Sequence, residues 1–154
     1  MDGPDDIIEL LGLEPLPIEG GMFAQSWRDE AASAIYYLVI APDFSRLHRL
    51  DRIEIFTYHA GSAARMLLLH PDGTATRPVL GADLAAGQRP QVVVPAGVWQ
   101  TTFTLGEWSL LGTVVVPPYT DEAVEFGNAD QLAAAFPEWA DEVRAACHPS
   151  TKDS

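Results

Sequence analysis

Lysine and cysteine are almost missing from this chain, and a long apolar run is absent altogether. Of the nine basic residues only Lys152 is a lysine, so fixed positive charges inside a pocket would have to be arginines. Against 22 acidic residues they leave a formal charge of −13. That argues against partners such as nucleic acid or an anionic membrane surface, which are bound through basic patches. The lone cysteine, Cys147, excludes an internal disulfide. Its place in a helical stretch reads as a packed thiol rather than a nucleophile. No apolar stretch reaches the roughly 20 residues of a spanning helix. No basic leader with a following apolar run opens the chain, so the expected location is cytoplasmic. There is no repeat at solenoid spacing and no low-complexity linker, and residues 1–154 read as one domain.

What is present is a series of short strands. The apolar fraction, 47%, is enough to fill a core. Pro4 to Leu11 predicts a helix, with Asp5 and Asp6 in its first turn and Gly12 ending it. Pro-bearing Leu13–Pro17 and the turn Glu19-Gly20-Gly21 lead to a strand over Met22–Arg28, where a period of two puts Phe23, Gln25 and Trp27 on one face. Strands are predicted at 34–40, 45–50, 54–59, 64–70, 74–80, 91–94, 98–105 and 108–116. Pro71-Asp72-Gly73, Pro95-Ala96-Gly97 and Gly106-Glu107 supply turns between them. Many short strands separated by turn signals favour a sandwich or barrel. Pro117-Pro118-Tyr119 ends the sheet region, and two helices follow over about 128–147, with Asn128 and Pro137 at their starts. Their apolar stripe of Leu132, Phe136, Trp139 and Val143 reads as a cover for the barrel or a contact for a second chain.

The stretch from Leu47 to Gly61 concentrates the chemistry. It contains His48-x-Leu50-x-x-x-Glu54 with Gly61 at its end, and Pro95-x-Gly97-x-x-Gln100 follows downstream. These spacings resemble the two cupin motifs, H-x-H-x3-E-x6-G and P-x-G-x-x-H, with Leu50 and Gln100 standing where two histidines are usual. The chain is more closely similar to the uncharacterised cupin-five family over roughly residues 7–140. That resemblance rests on Leu10-x-Gly12-Leu13, Glu19-Gly20-Gly21, Ala34-Ile35-Tyr36, Leu47-His48-Arg49, the run Gln91 to Gln100, and Val116-Pro117. Departures are Pro17-Ile18 in place of His-Pro, Phe56-Thr57 in place of Trp-His, and Pro117-Pro118-Tyr119 in place of Pro-Gly-Phe. The resemblance implies an all-β double-stranded β-helix, a cupin barrel over about residues 20–117, with short helices at both termini. It also implies a homodimer with a polar pocket in the barrel mouth.

Two functions fit these residues. In the first, the barrel binds a small molecule: His48, Glu54 and Gln100 fix its orientation, Phe23, Phe56, Tyr58, Met66 and Trp99 supply apolar surface, and Gln25, Tyr36 and Arg49 add polar contacts. In the second, His48 and Glu54 form an acid–base pair with Tyr58 or Tyr36 as opposing proton donor. Such a set suits epimerase, isomerase or cyclase chemistry on a sugar-like or carbonyl-containing metabolite. As metal ligands, His48, Glu54 and Gln100 offer one imidazole, one carboxylate and one amide oxygen. That set suits at most a weakly held divalent ion rather than tightly bound iron, copper or zinc. No other cofactor is expected. His59 and His70 are expected in solvent, and Tyr119 and Glu122 are candidates to close over the mouth.

Overall fold

A computed structural model describes residues 3–148; residues 1–2 and 149–154, Lys152 among them, lie outside the described part. The elements in chain order are α1 (Pro4–Leu11), β1 (Glu14–Pro15), β2 (Met22–Arg28), β3 (Ser33–Ile40), β4 (Ser45–Leu50), β5 (Ile53–Gly61) and β6 (Ala64–Leu69). They continue with β7 (Ala75–Thr76), β8 (Val79–Leu80), β9 (Gln91–Val94), β10 (Trp99–Thr104), β11 (Trp108–Val116), β12 (Val124–Phe126), α2 (Ala129–Ala135) and α3 (Ala140–Cys147). One sheet has the order β1-β2-β3-β11-β5-β9 and the other β12-β4-β10-β6-β7, with β8 also on β6; all pairings between these strands are antiparallel. The two sheets face each other as the walls of a barrel. No helix among the described residues is long and apolar enough to cross a membrane.

Two of the strands read as unbroken apolar runs because both their faces are covered. On β3, Tyr37 and Val39 point into the barrel with Phe56, Met66, Leu68 and Leu111, while Leu38 packs outward against Ile7 and Leu13 beneath α1. On β6, Met66 and Leu68 point inward, and Leu67 and Leu69 outward against Leu132, Phe136 and Val143 of the C-terminal helices. Burying a large apolar side chain is worth roughly 1.5–3 kcal/mol, so each helix adds a layer of core to a sheet face that would otherwise be wet. Asn128 caps α2 by accepting a hydrogen bond from Gln131 N at 3.0 Å.

The structure departs from the sequence reading at three places. Residues 74–80 form two dipeptide strands rather than one strand, split at Arg77-Pro78, because a proline has no N–H for the ladder. The pairing of β2 with β3 slips between Gln25 and Trp27, and this bulge leaves Trp27 59% exposed instead of on the face of Phe23 and Gln25. The sheet does not end at Pro117: after a 3-10 turn, β12 pairs with β4 and sets Phe126 opposite His48.

Candidate functional site

The barrel interior contains a cavity of about 90 Å3 whose polar wall includes Glu19, His48 and Glu54 and whose apolar wall includes Phe23, Leu50 and Phe56. His48 comes from β4 and Glu54 from β5, which lie in opposite sheets. Gln100, on β10, is the register partner of His48 and donates from Nε2 to Glu54 Oε1 at 2.9 Å. That bond crosses from one sheet to the other. All three are buried, with exposures of 2% for His48, 8% for Glu54 and 1% for Gln100.

Glu19 reaches this wall through a strained turn. Glu19 N donates to Pro17 O at 2.7 Å, and Ile18 between them has φ 70°. This is a γ-turn of the rare positive-φ kind. A β-branched residue rarely tolerates that conformation, whose strain is on the order of 1–3 kcal/mol. The next two residues must be glycines: Gly20 (φ 94°) and Gly21 (φ 83°) sit so close to Phe44 O and the Tyr37 ring that a Cβ would collide. The loop is tied to β4 by Arg46 N donating to Glu19 O at 2.7 Å and Ser45 Oγ donating to Glu19 Oε2 at 3.2 Å. Tyr37 Oη donates to Gly20 O at 2.6 Å.

The electrostatics follow from this crowding. Burial pushes the Glu54 carboxyl up from its ordinary 4.5 to about 7, and the nearby Glu19 carboxylate pushes the same way. His48 and the hydrogen bonds from Gln100 and Thr113 oppose the rise without cancelling it. His48 Nδ1 lies 2.6 Å from Arg46 O; a carbonyl can only accept, so Nδ1 carries the hydrogen. Nε2 is left facing Glu19 Oε1 at 3.6 Å, beyond direct hydrogen-bond distance. Tyr119 lines the cavity, with its hydroxyl pushed up to about 12 by burial and then by Glu19. Its backbone is held by Arg28, which donates to Tyr119 O at 2.7 Å, and by Tyr119 N donating to Ser33 Oγ at 2.9 Å.

Among the residues singled out from sequence, His48, Glu54, Phe23, Gln25 and Phe56 line the cavity. Gln100 stands behind Glu54. Met66 is fully buried in the inner core, away from the cavity wall. Tyr58 does not reach the site: it packs on the inner core further along β5, and its hydroxyl donates to Gly61 O at 2.6 Å. Tyr36 is 38% exposed on the outer face, because Ile35 and Tyr37 take the inward positions of β3. Arg49 and Trp99 also lie outside. Arg49 pairs with Glu125 at 3.0 Å and stacks 4.4 Å over the Trp99 ring, and Trp99 packs against the C-terminal helix cluster. His59 is exposed beside Thr57, whereas His70 is half-buried with Nε2 2.9 Å from Thr76 Oγ1. Sequence reasoning saw Glu19 only as part of a turn. Its two following glycines were the available signal for a fixed loop.

A larger surface groove of about 410 Å3 lies on the other side of the same loop, lined by Ile18, Met22, Leu38 and Phe44 among others. Two of its polar side chains are internally engaged: Asp43 accepts from Gly21 N and Phe44 N, and Arg46 Nε donates to Cys147 O. The buried polar residues therefore identify the smaller cavity as the candidate site.

A two-sheet barrel with an interior histidine and glutamate defines a cupin. The family described as Cupin superfamily (DUF985), Cupin_5, matches residues 5–127, and the chain belongs to it. Protein SO0799 from Shewanella oneidensis is 34% identical, with a TM-score of 0.89 over 97% of this chain and 99% of its own. A hypothetical protein from Leishmania major is 23% identical, with a TM-score of 0.88 over 96% of this chain and 99% of its own. Oxalate decarboxylase from Bacillus subtilis shares the fold at 14% identity, with a TM-score of 0.61 over 87% of this chain and 37% of its own. No curated protein matches the chain.

Mn(II) centres are described for the Bacillus subtilis enzyme, and metals are common in cupin barrels. Leu50 brings no donor to the cavity wall, and Gln100 does not line it: its Nε2 is bonded to Glu54, and its buried Oε1, without a partner, is a neutral amide oxygen and a weak ligand. No group of three His, Cys, Asp or Glu side chains placed to hold a metal ion occurs among the described residues. The expected set of His48, Glu54 and Gln100 therefore does not fit a tightly coordinated metal.

Proposed function

We propose that this chain is a small-molecule-binding cupin whose natural ligand occupies the barrel cavity against His48, Glu54 and Glu19. The observation that carries this reading is their convergence, from three separate segments, on one cavity with aromatic walls. Buried titratable groups are expensive to keep in an interior, and the strained Ile18 turn adds to that expense. Such features concentrate at ligand sites. Phe23 and Phe56 supply the apolar surface, while Gln25 and Tyr119 supply further polar contacts. A homodimer in the cytoplasm belongs to the same proposal; light scattering of the purified protein checks the stoichiometry.

A second reading has one specific observation in its favour. Glu54, held near 7, has the proton affinity of a general acid or base at neutral pH. With His48 beside it, the cavity suits proton transfer next to a carbonyl, as in an epimerase, isomerase or cyclase. In that reading Tyr119, rather than Tyr58, supplies the hydroxyl on the cavity wall.

One experiment separates the two. The protein and His48→Asn are each incubated with a metabolite extract, and both the retained and the converted molecules are identified by mass spectrometry. A binder retains a compound unchanged, more weakly in the variant. An enzyme depletes it, and the variant does not. An extract neither enriched nor altered would contradict both readings. Metal analysis of the same sample checks for a weakly held divalent ion, and less than about a tenth of an equivalent would remove it.

A further inference from the structure

The charges around the cavity are one-sided. Glu19, His48 and Glu54 line it, and among the described residues no lysine or arginine does. Arg49, expected from the sequence to add a polar contact, is on the outer surface paired with Glu125. An anionic ligand would meet two carboxylates with no fixed countercharge, in surroundings that screen charge poorly.

Acceptors concentrate at Glu19 and His48, while Gln25 and the Tyr119 hydroxyl elsewhere on the wall carry donors. With its Nδ1 hydrogen given to Arg46 O, His48 turns Nε2 toward Glu19 Oε1, 3.6 Å away; in an uncharged ring that nitrogen presents a lone pair. Two acceptors at that separation do not bond each other, but one N–H-rich group seated in the cavity beside both can donate to each. The rest of the wall includes the aromatic rings of Phe23, Phe56 and Tyr119, and an aromatic face attracts a cation. The cavity, about 90 Å3, is smaller than the roughly 150 Å3 that admits benzene. The charged end of the ligand is therefore compact.

We propose that the cavity selects a small organic cation, a protonated amine, with Glu19 as the selecting carboxylate and His48 Nε2 as its co-acceptor. This rests on the cavity being the ligand site and adds the class of ligand. A neutral alcohol satisfies some of the same acceptors but leaves the repulsion between Glu19 and Glu54 uncompensated. A primary ammonium provides three N–H donors and the missing positive charge together.

The test uses three probes of matched size: propylammonium, 1-propanol and propionate. Each is titrated at pH 7.5 into the full chain while the His48 imidazole resonances are followed by NMR. The expected result is propylammonium binding at least tenfold tighter than 1-propanol, and propionate leaving His48 unmoved. Glu19→Gln should abolish that preference, weakening propylammonium at least tenfold more than 1-propanol. Glu54→Gln, which keeps an oxygen to accept from Gln100, repeats the test on a residue of β5 and should reduce the preference several-fold. If 1-propanol binds as well as propylammonium, or propionate binds best, the cation inference fails and the ligand-site reading stands. If propylammonium keeps its advantage in both variants, the assignment to these carboxylates is overturned. If none of the three probes moves His48, both the inference and the ligand-site reading are overturned.

Discussion

The barrel interior has two halves made by the same strands. Along β11, Leu111 stands beside Tyr58 and Tyr37, while Thr113 and Val115 stand beside Phe56 and Glu54. The Leu111 half is filled by Val39, Ala64, Met66 and Leu80, all fully buried. The Val115 half holds Glu19, His48 and Glu54 around a cavity. A step of a few residues along one strand thus passes from close-packed core to a polar hollow. The first half is where the fold gains its stability. The second spends some of that stability on a buried carboxyl, a strained turn and empty volume.

The largest expected effect lies in the filled half. Leu111→Ala should destabilise the protein by about 2–5 kcal/mol, because a closed barrel collapses poorly onto a cavity. Ligand affinity in the other half should be unchanged among molecules that remain folded. Urea denaturation with a binding titration checks both; a large affinity loss with little destabilisation would erase the distinction between the halves.

The next effect is a gain. Glu54 rises from 4.5 to about 7 on folding, so between those values the native state holds a proton that the unfolded chain has released. Stability therefore falls as pH rises through that window, by up to about 3 kcal/mol, and is flat above it. Glu54→Gln removes the ionisable group. Relative to the native chain, the variant should be more stable at pH 8 by up to that amount, with the difference closing toward pH 4.5. Denaturation of both proteins across this range checks the sign. A difference that does not vary with pH would mean that Glu54 is not held protonated by the fold.

The smallest effect concerns Tyr58. Tyr58→Phe loses the hydrogen bond to Gly61 O and should cost about 0.5–1.5 kcal/mol, with no change in affinity. A measurable affinity change would place Tyr58 back at the site and blur the two halves.

The two halves were not equally legible in the sequence. The walls were: turn glycines and prolines, alternation on β5, and apolar runs on β3 and β6 gave the strands of the barrel to within a residue or two over most of their length. His48 and Glu54 were legible because the spacing between them and Gly61 is local to one pair of strands. Tyr58 was misplaced although its alternation was read properly. Period-two reasoning tells inside from outside, but not how far along the barrel a residue sits. Tyr36, Arg49 and Trp99 were expected at the pocket from their chemistry, and their strand positions turn them outward. Glu19 was the least accessible. Its direction depends on a positive φ at Ile18, a residue that propensity assigns anywhere but there. The return of the chain as β12 was hidden because Pro117-Pro118 signals an ending, and three residues of strand carry too little pattern to oppose it.

The central claim is that Glu19, His48 and Glu54 share one buried space closely enough to feel each other's charge. The most direct measurement is an NMR titration of the Glu54 side-chain carboxyl carbon in the native chain and in Glu19→Gln. The account predicts a midpoint near 7 in the native chain and a lower one in the variant, where the repelling carboxylate is gone. A native midpoint near the ordinary carboxylate value, or one that does not move when residue 19 loses its charge, would contradict it.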